Sequence, residues 1–162
     1  MTRFYLAGRY GRREELLDYA ADLVHRGHGV TSRWLGGGHQ AEELDAGGNG
    51  DVARWPLEQA RRFALDDIED VLAADGLIAF SEPPRSTASR GGRHVEFGMA
   101  LCWRLASGVG PLVVIGPREN VFHCLPEVDV FPDWPAFLVW LDTGGLRRAG
   151  DIARTLLEVP EP

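Results

Sequence analysis

Ala74-Asp75-Gly76-Leu77-Ile78-Ala79-Phe80, followed at the far side of a polar loop by Gly91-Gly92-Arg93-His94-Val95-Glu96-Phe97-Gly98, is the stretch that decides the fold. The run from Gly76 is short, apolar and rich in residues suited to a pleated surface. A helical pattern precedes it and another follows it. An apolar run in that setting is a strand of a parallel sheet, covered on both faces. In such sheets ligands bind beyond the carboxyl ends of the strands. The loop over residues 81–92, with Glu96 at its exit, is therefore where chemistry is expected.

Working back towards the N-terminus, Pro56 suits the first residue of a helix running to about Ala74. Its expected buried face is Ala60, Phe63, Ala64, Ile68, Val71 and Leu72. Asp67 lies one helical row from that face, and Asp66 and Glu69 point further towards solvent. An acid so near a buried stripe needs a partner or a purpose. Residues 34–50 read as a loop, with six glycines among seventeen residues. Before it, Arg3-Phe4-Tyr5-Leu6-Ala7 is a strand and residues 12–25 are a helix with Leu16, Leu17, Ala20, Leu23 and Val24 inward. Gly29-Val30-Thr31-Ser32 is a second short strand.

Working forward, residues 93–106 form a helix and Leu112-Val113-Val114-Ile115-Gly116 a buried strand. Val128-Asp129-Val130-Phe131 reads as a fifth, short strand. Residues 133–141 form a helix, with Asp133 as cap and Pro135 in its first turn. Residues 146–159 read as a last helix. The alternation predicts one α/β domain over residues 1–162: a three-layer, doubly wound parallel sheet of about five strands, flavodoxin- or Rossmann-like, in the order 2-1-3-4-5. Gly8-Arg9-Tyr10-Gly11 lacks the spacing of the dinucleotide fingerprint, so no nicotinamide or flavin dinucleotide, and no other cofactor, is expected.

A net charge of -7 argues against a nucleic-acid polymer as partner. Every basic side chain apart from histidine is Arg, which removes Schiff-base chemistry. Cys102 and Cys124 lack metal-site spacing and fit a reducing cytoplasm, with Cys102 expected in the core. No leader pattern is visible, and no apolar run approaches the roughly 20 residues needed to span a bilayer. A cytoplasmic protein without membrane contact is expected.

Glu96 heads the candidate chemistry. It is expected in the first turn of its helix, where the dipole favours the carboxylate, and Gly91-Gly92 allow close approach of a substrate. A positioned carboxylate can attack an anomeric carbon. Glu is also common in first helical turns, so position alone does not assign catalysis. Tyr5, near the end of the first strand, can orient Glu96; a strand Tyr is as readily a core residue. Asp67 can hold a sugar hydroxyl or a base edge. Ser89, Arg90 and their neighbours Arg85, Ser86 and Thr87 offer hydroxyls and guanidinium groups that suit phosphate or sugar, or simply a solvated loop. Arg9, Arg12 and Arg13 sit at a helix start, where an anion is favoured. The histidines show no metal spacing, and no metal site is expected. His94 and His123 fall on the ligand side.

Taken together, these pieces resemble the nucleoside 2-deoxyribosyltransferase family, which includes nucleoside 5'-monophosphate N-glycosidases. Phe4-Tyr5-Leu6-Ala7-Gly8 resembles the opening strand. Asp67-Ile68 with Ala74-Asp75-Gly76-Leu77-Ile78-Ala79-Phe80 resembles the second segment. Gly92-Arg93-His94-Val95-Glu96-Phe97-Gly98 resembles the nucleophile signature, and Pro111-Leu112-Val113-Val114 the strand after it. The likeness spans roughly residues 3–142. It implies a nucleoside or nucleotide substrate cleaved or transferred at its N-glycosidic bond through a covalent (deoxy)ribosyl intermediate on Glu96. It makes Tyr5 the orienting partner of Glu96 and Asp67 a ligand of the sugar or base. With the residues read above, the expected substrate-binding positions are Gly8, Arg9, Ser89, Arg90, Gly92, His94 and Asn120, with Asn120 or His123 as the residue a neighbouring subunit would lend. It also implies a homo-oligomer. In one departure, Arg90 stands where the transferases carry an Asp, which tilts the expectation towards nucleotide hydrolysis. The alternative reading is a non-catalytic nucleotide-binding sensor of the same fold.

Overall fold

The computed structural model describes residues 1–37, 56–82, 91–108 and 110–146. Strands β1 (Arg3–Ala7), β2 (Gly29–Val30), β3 (Gly76–Phe80), β4 (Leu112–Ile115) and β5 (Asp129–Phe131) form one sheet in the order β2-β1-β3-β4-β5. Every neighbouring pair is parallel, with Tyr5 opposite Leu77 and Ile78 opposite Val113. The expected fold class and strand order are those observed. Phe4 to Ala7, Leu77 to Phe80 and Leu112 to Ile115 are all buried, as central strands covered on both faces must be.

Four helices cover the sheet: α1 (Arg13–His25), α2 (Leu57–Ala73), α3 (Gly92–Ser107) and α4 (Trp134–Asp142). α1 and α4 share one face, where Tyr19 stacks on Trp134 at 4.4 Å and the Trp134 indole N–H donates to Asp22 at 2.9 Å. α2 and α3 lie together on the other face. β1 splits its side chains between the two. Phe4 meets Phe137 of α4, whereas Tyr5 reaches Asp67 of α2. The cap on α4 is as expected, with the Asp133 carboxylate accepting from the Ala136 N–H at 2.9 Å. α3 opens at Gly91, whose φ of +81° is one that glycine adopts without strain.

Several local expectations need correction. On α2 the inward row is Phe63, Asp70 and Val71 with Asp67 half-buried, while Ala64 is exposed, Ile68 is 38% exposed and Leu72 67%. The helix is rotated from the orientation its apolar stripe suggested, because the Asp70 carboxylate is held from beneath by Arg33. Pro56 precedes α2 rather than opening it. On α1, Leu17 and Val24 are exposed, and only Leu16 and Leu23 are fully inward. β2 stops at Val30. Trp34 and Leu35, at the start of the expected loop, form a 3-10 turn (Arg33–Gly36) packed into the core. Cys102 is exposed, because it sits on the outward side of α3. The remainder of that loop and the last helix after Leu146 lie outside the described residues. No helix among the described residues is long and apolar enough to cross a membrane.

Candidate active site

Three elements distant in sequence converge on the α2/α3 face of the sheet. β1 contributes Tyr5, α2 contributes Asp67 and α3 contributes Glu96. Tyr5 is wholly buried, and its hydroxyl donates to Asp67 Oδ1 at 3.2 Å. Burial, then the charges of Glu96 and Asp67, push the phenol well above its ordinary range, so it stays a donor. Glu96 is half-buried, and one of its carboxylate oxygens lies 3.9 Å from where a Gly92 side chain would begin. Burial and the negative charge of Asp67 push its carboxyl up to about 8, against the pull of the Tyr5 hydroxyl and the Arg93 guanidinium.

This corrects the electrostatics expected of Glu96. α3 begins at Gly92, so Glu96 stands in its second turn, beyond the strongest field of the helix terminus. Desolvation and a second carboxylate outweigh the dipole, and near neutrality the Glu96 carboxyl carries its proton. Perturbed carboxyls of this kind concentrate at functional sites.

A second layer surrounds α3's first turn. Arg93 is buried and pairs with Glu119. The Glu119 carboxylate also accepts from the Glu82 N–H at 3.1 Å, and Glu82 stands 3.7 Å from the Arg12 guanidinium. His123 is buried against the Phe97 ring at 4.9 Å, and its Nδ1 accepts from the Glu119 N–H at 3.3 Å. Burial lowers its pKa, so the ring is neutral at pH 7. The donor atoms of His94, Glu119 and His123 lie within 4.8 Å of one another, a grouping that could take a divalent cation. Chain spacing had concealed it. Arg93, the Glu82 N–H and the Glu119 N–H already occupy lone pairs of Glu119 and His123, so an ion would compete with these bonds.

The other expected binding residues divide. Gly8 serves packing, since a Cβ there would lie 2.7 Å from Leu16 Cδ2. Arg12 is committed to Glu15 at 2.7 Å, and Arg13 donates to the Leu35 carbonyl at 2.7 Å. Arg9 makes no ion pair among the described residues. Asn120 caps the 3-10 turn Val121–Cys124, accepting from the Phe122 N–H at 3.0 Å. Gly92 and His94 sit in the first turn of α3, beside Glu96 and Glu119 respectively. Ser89 and Arg90 lie outside the described residues.

The sequence reading passed over Arg93, Glu119, Arg33 and Asp70. A signal existed for Asp70. Phe63, Asp67, Asp70, Val71 and Ala74 follow a helical i, i+4, i+7, i+8, i+11 pattern, which is as regular as the apolar stripe. Arg93 and Glu119 had none, being 26 residues apart.

With that geometry in place, known structures offer a comparison. The chain is similar in structure to the CMP N-glycosidase BcmB of Clostridium botulinum. The TM-score is 0.48 at 18% sequence identity, over 87% of this chain and 98% of that one. No protein-family model matches the chain, and no curated protein sequence matches it.

Proposed function

We propose that the protein cleaves or transfers the (deoxy)ribosyl group at the N-glycosidic bond of a nucleoside or nucleoside 5'-monophosphate, with Glu96 as nucleophile. The observation that carries this reading is the meeting of Tyr5, Asp67 and Glu96 from three separate elements. The sequence resemblance assigns its reaction to the same three residues.

In this mechanism a Glu96 oxygen bonds to the anomeric carbon as the bond from that carbon to the base nitrogen breaks. Near neutrality the Glu96 carboxyl carries a proton, and that proton passes to the departing base. While the glycosidic bond lengthens, the two carboxylates face the developing oxocarbenium charge and stabilise it, until the Glu96 oxygen closes on the anomeric carbon. Tyr5 holds Asp67 in place through its hydroxyl. Water, or a second base, then displaces the Glu96 carboxylate from the anomeric carbon and gives up one proton, which Glu96 takes back. Arg90 at the position where transferases carry an acid supports hydrolysis of nucleotides, and Arg9, free of ion pairs among the described residues, supports a phosphate contact at the β1 loop. A homo-oligomer is part of the proposal. Its support is the outward apolar surface of α2 and α3, where Leu65, Leu72, Val95 and Trp103 are each more than half exposed.

The test is chromatography for free base from a panel of nucleosides and 5'-monophosphates, with and without an acceptor base. Base released from monophosphates without acceptor is the expected result. A new nucleoside formed only with acceptor would make the protein a transferase. Tight binding without base release would replace the enzyme with the sensor.

A further inference from the structure

We infer that residues 31–34, which follow β2 and run into the first half of the 3-10 turn Arg33–Gly36, act as a strut that sets the spacing of Tyr5, Asp67 and Glu96, with Arg33 its principal positioning residue. This rests on the proposed role of those three side chains.

The strut grips β1 on either side of Tyr5. β2 ends at Val30, so beyond it the polar groups of β1 on that side lack a strand partner. The strut supplies them. The Thr31 N–H donates to the Phe4 carbonyl at 2.9 Å. The Leu6 N–H donates to Ser32 Oγ at 2.6 Å, and the Trp34 indole N–H donates to the Leu6 carbonyl at 3.0 Å. Ser32 and Trp34 are both buried.

Two of these residues, Thr31 and Arg33, grip α2 on either side of Asp67. The Asp70 carboxylate accepts from the Arg33 N–H at 2.8 Å and from Arg33 Nε at 2.7 Å. Arg33 Nη2 donates to the Asp66 carbonyl at 3.0 Å and to Glu69 at 3.0 Å. The Thr31 hydroxyl donates to the Asp70 carbonyl at 2.9 Å. A planar guanidinium can hold several acceptors in fixed relative positions, which an ammonium cannot. Residues 4 and 6 of β1 and residues 66 and 70 of α2 are thus tied to one short segment, with Tyr5 between the first pair and Asp67 within the turn bounded by the second. This same hold turns Asp67 towards the sheet and the apolar stripe of α2 outward. Small displacements of positioned groups are costly to catalysis, so the strut bears on turnover as well as on folding.

Two variants that change no charge test this. Arg33→Lys keeps the positive charge and loses the fork. Trp34→Phe keeps a ring in the core and loses the bond to Leu6. The Glu96 carboxyl is titrated by carbon-13 NMR in the protein without substrate, and kcat and KM for base release are measured in parallel. The groups facing Glu96 are Tyr5 from β1, Asp67 from α2 and Arg93 from its own helix, and none is altered. The expected result is a folded protein whose Glu96 midpoint moves from about 8 towards the ordinary carboxylate range. With it, kcat falls about tenfold, and KM stays within about threefold. Folded variants with an unchanged midpoint and unchanged kcat would overturn the inference. Loss of the fold in both would overturn it too, since the segment would then be a folding element. If the wild-type protein releases no base from any substrate, the functional reading fails, and the titration still decides the strut.

Discussion

The two faces of this sheet are built from the same strands and solve different problems. The α1/α4 face is an aromatic packing surface, where Phe4, Phe80, Trp134 and Phe137 make ring contacts at 4.4 to 6.4 Å with one another and with Tyr19. The α2/α3 face buries a phenol, brings carboxyl groups against it, and holds a buried acid through Arg33. The first arrangement gains stability by removing apolar surface from water. The second gives up some of that gain, because bringing Glu96 and Asp67 together out of water costs free energy. Costly groups gathered in one place are the pattern that functional sites favour, and that contrast between the faces is what supports placing the proposed chemistry on the α2/α3 side.

The sharpest way to break this comparison is Glu96→Gln. Base release should fall by at least about 10³-fold with the fold intact, and full activity would end the mechanism. Stability should separate the two proteins as well. The folded state holds the Glu96 proton more tightly than the unfolded chain does. Its stabilisation is therefore complete below about 4.5, the ordinary value, and is lost as pH rises through about 8. At about 1.4 kcal/mol per pKa unit this is on the order of a few kcal/mol. Thermal melts should show the wild-type protein losing stability between pH 5 and 9 relative to the variant, with the variant the more stable at pH 9. Parallel curves would show that Glu96 is not held in a costly environment.

Phe137→Ala probes the opposite face. Phe137 is fully buried against Phe4, Trp134 and Trp140, and its truncation should cost about 3–5 kcal/mol in denaturant unfolding. Activity per folded molecule should be unchanged, and a large fall in kcat of the folded fraction would erase the division of labour between the faces. Tyr5→Phe is the mildest of the three. It keeps the ring and removes the hydrogen bond to Asp67, so kcat should fall about tenfold, well short of the Glu96→Gln loss. A loss equal to that of Glu96→Gln would make the phenol a direct participant in bond cleavage.

How much of each face was legible in the sequence follows from the same difference. Leu16 and Leu23 of α1 and the Asp133 cap of α4 are legible from periodicity and local chemistry, because burial of apolar groups leaves a periodic trace, although Leu17 and Val24 of the same stripe are exposed. On the α2/α3 face the trace misled. Of the stripe expected on α2, Phe63 and Val71 are buried, yet Ala64, Ile68 and Leu72 are exposed. Asp70 is 5% exposed and holds the helix down through Arg33. Ionic contacts between residues 37 apart have no period to detect.

The sequence by itself determined the parallel sheet, its strand order and the three residues on which the proposed chemistry rests. Those features arise from local patterns, namely apolar runs, helix starts and short motifs. The rotation of α2, the pairing of Tyr5 with Asp67, the proton held by Glu96 and the grouping of His94, Glu119 and His123 were decided only by tertiary structure. Each depends on the distance between groups that the chain separates widely, and on how much water the packed elements exclude around them.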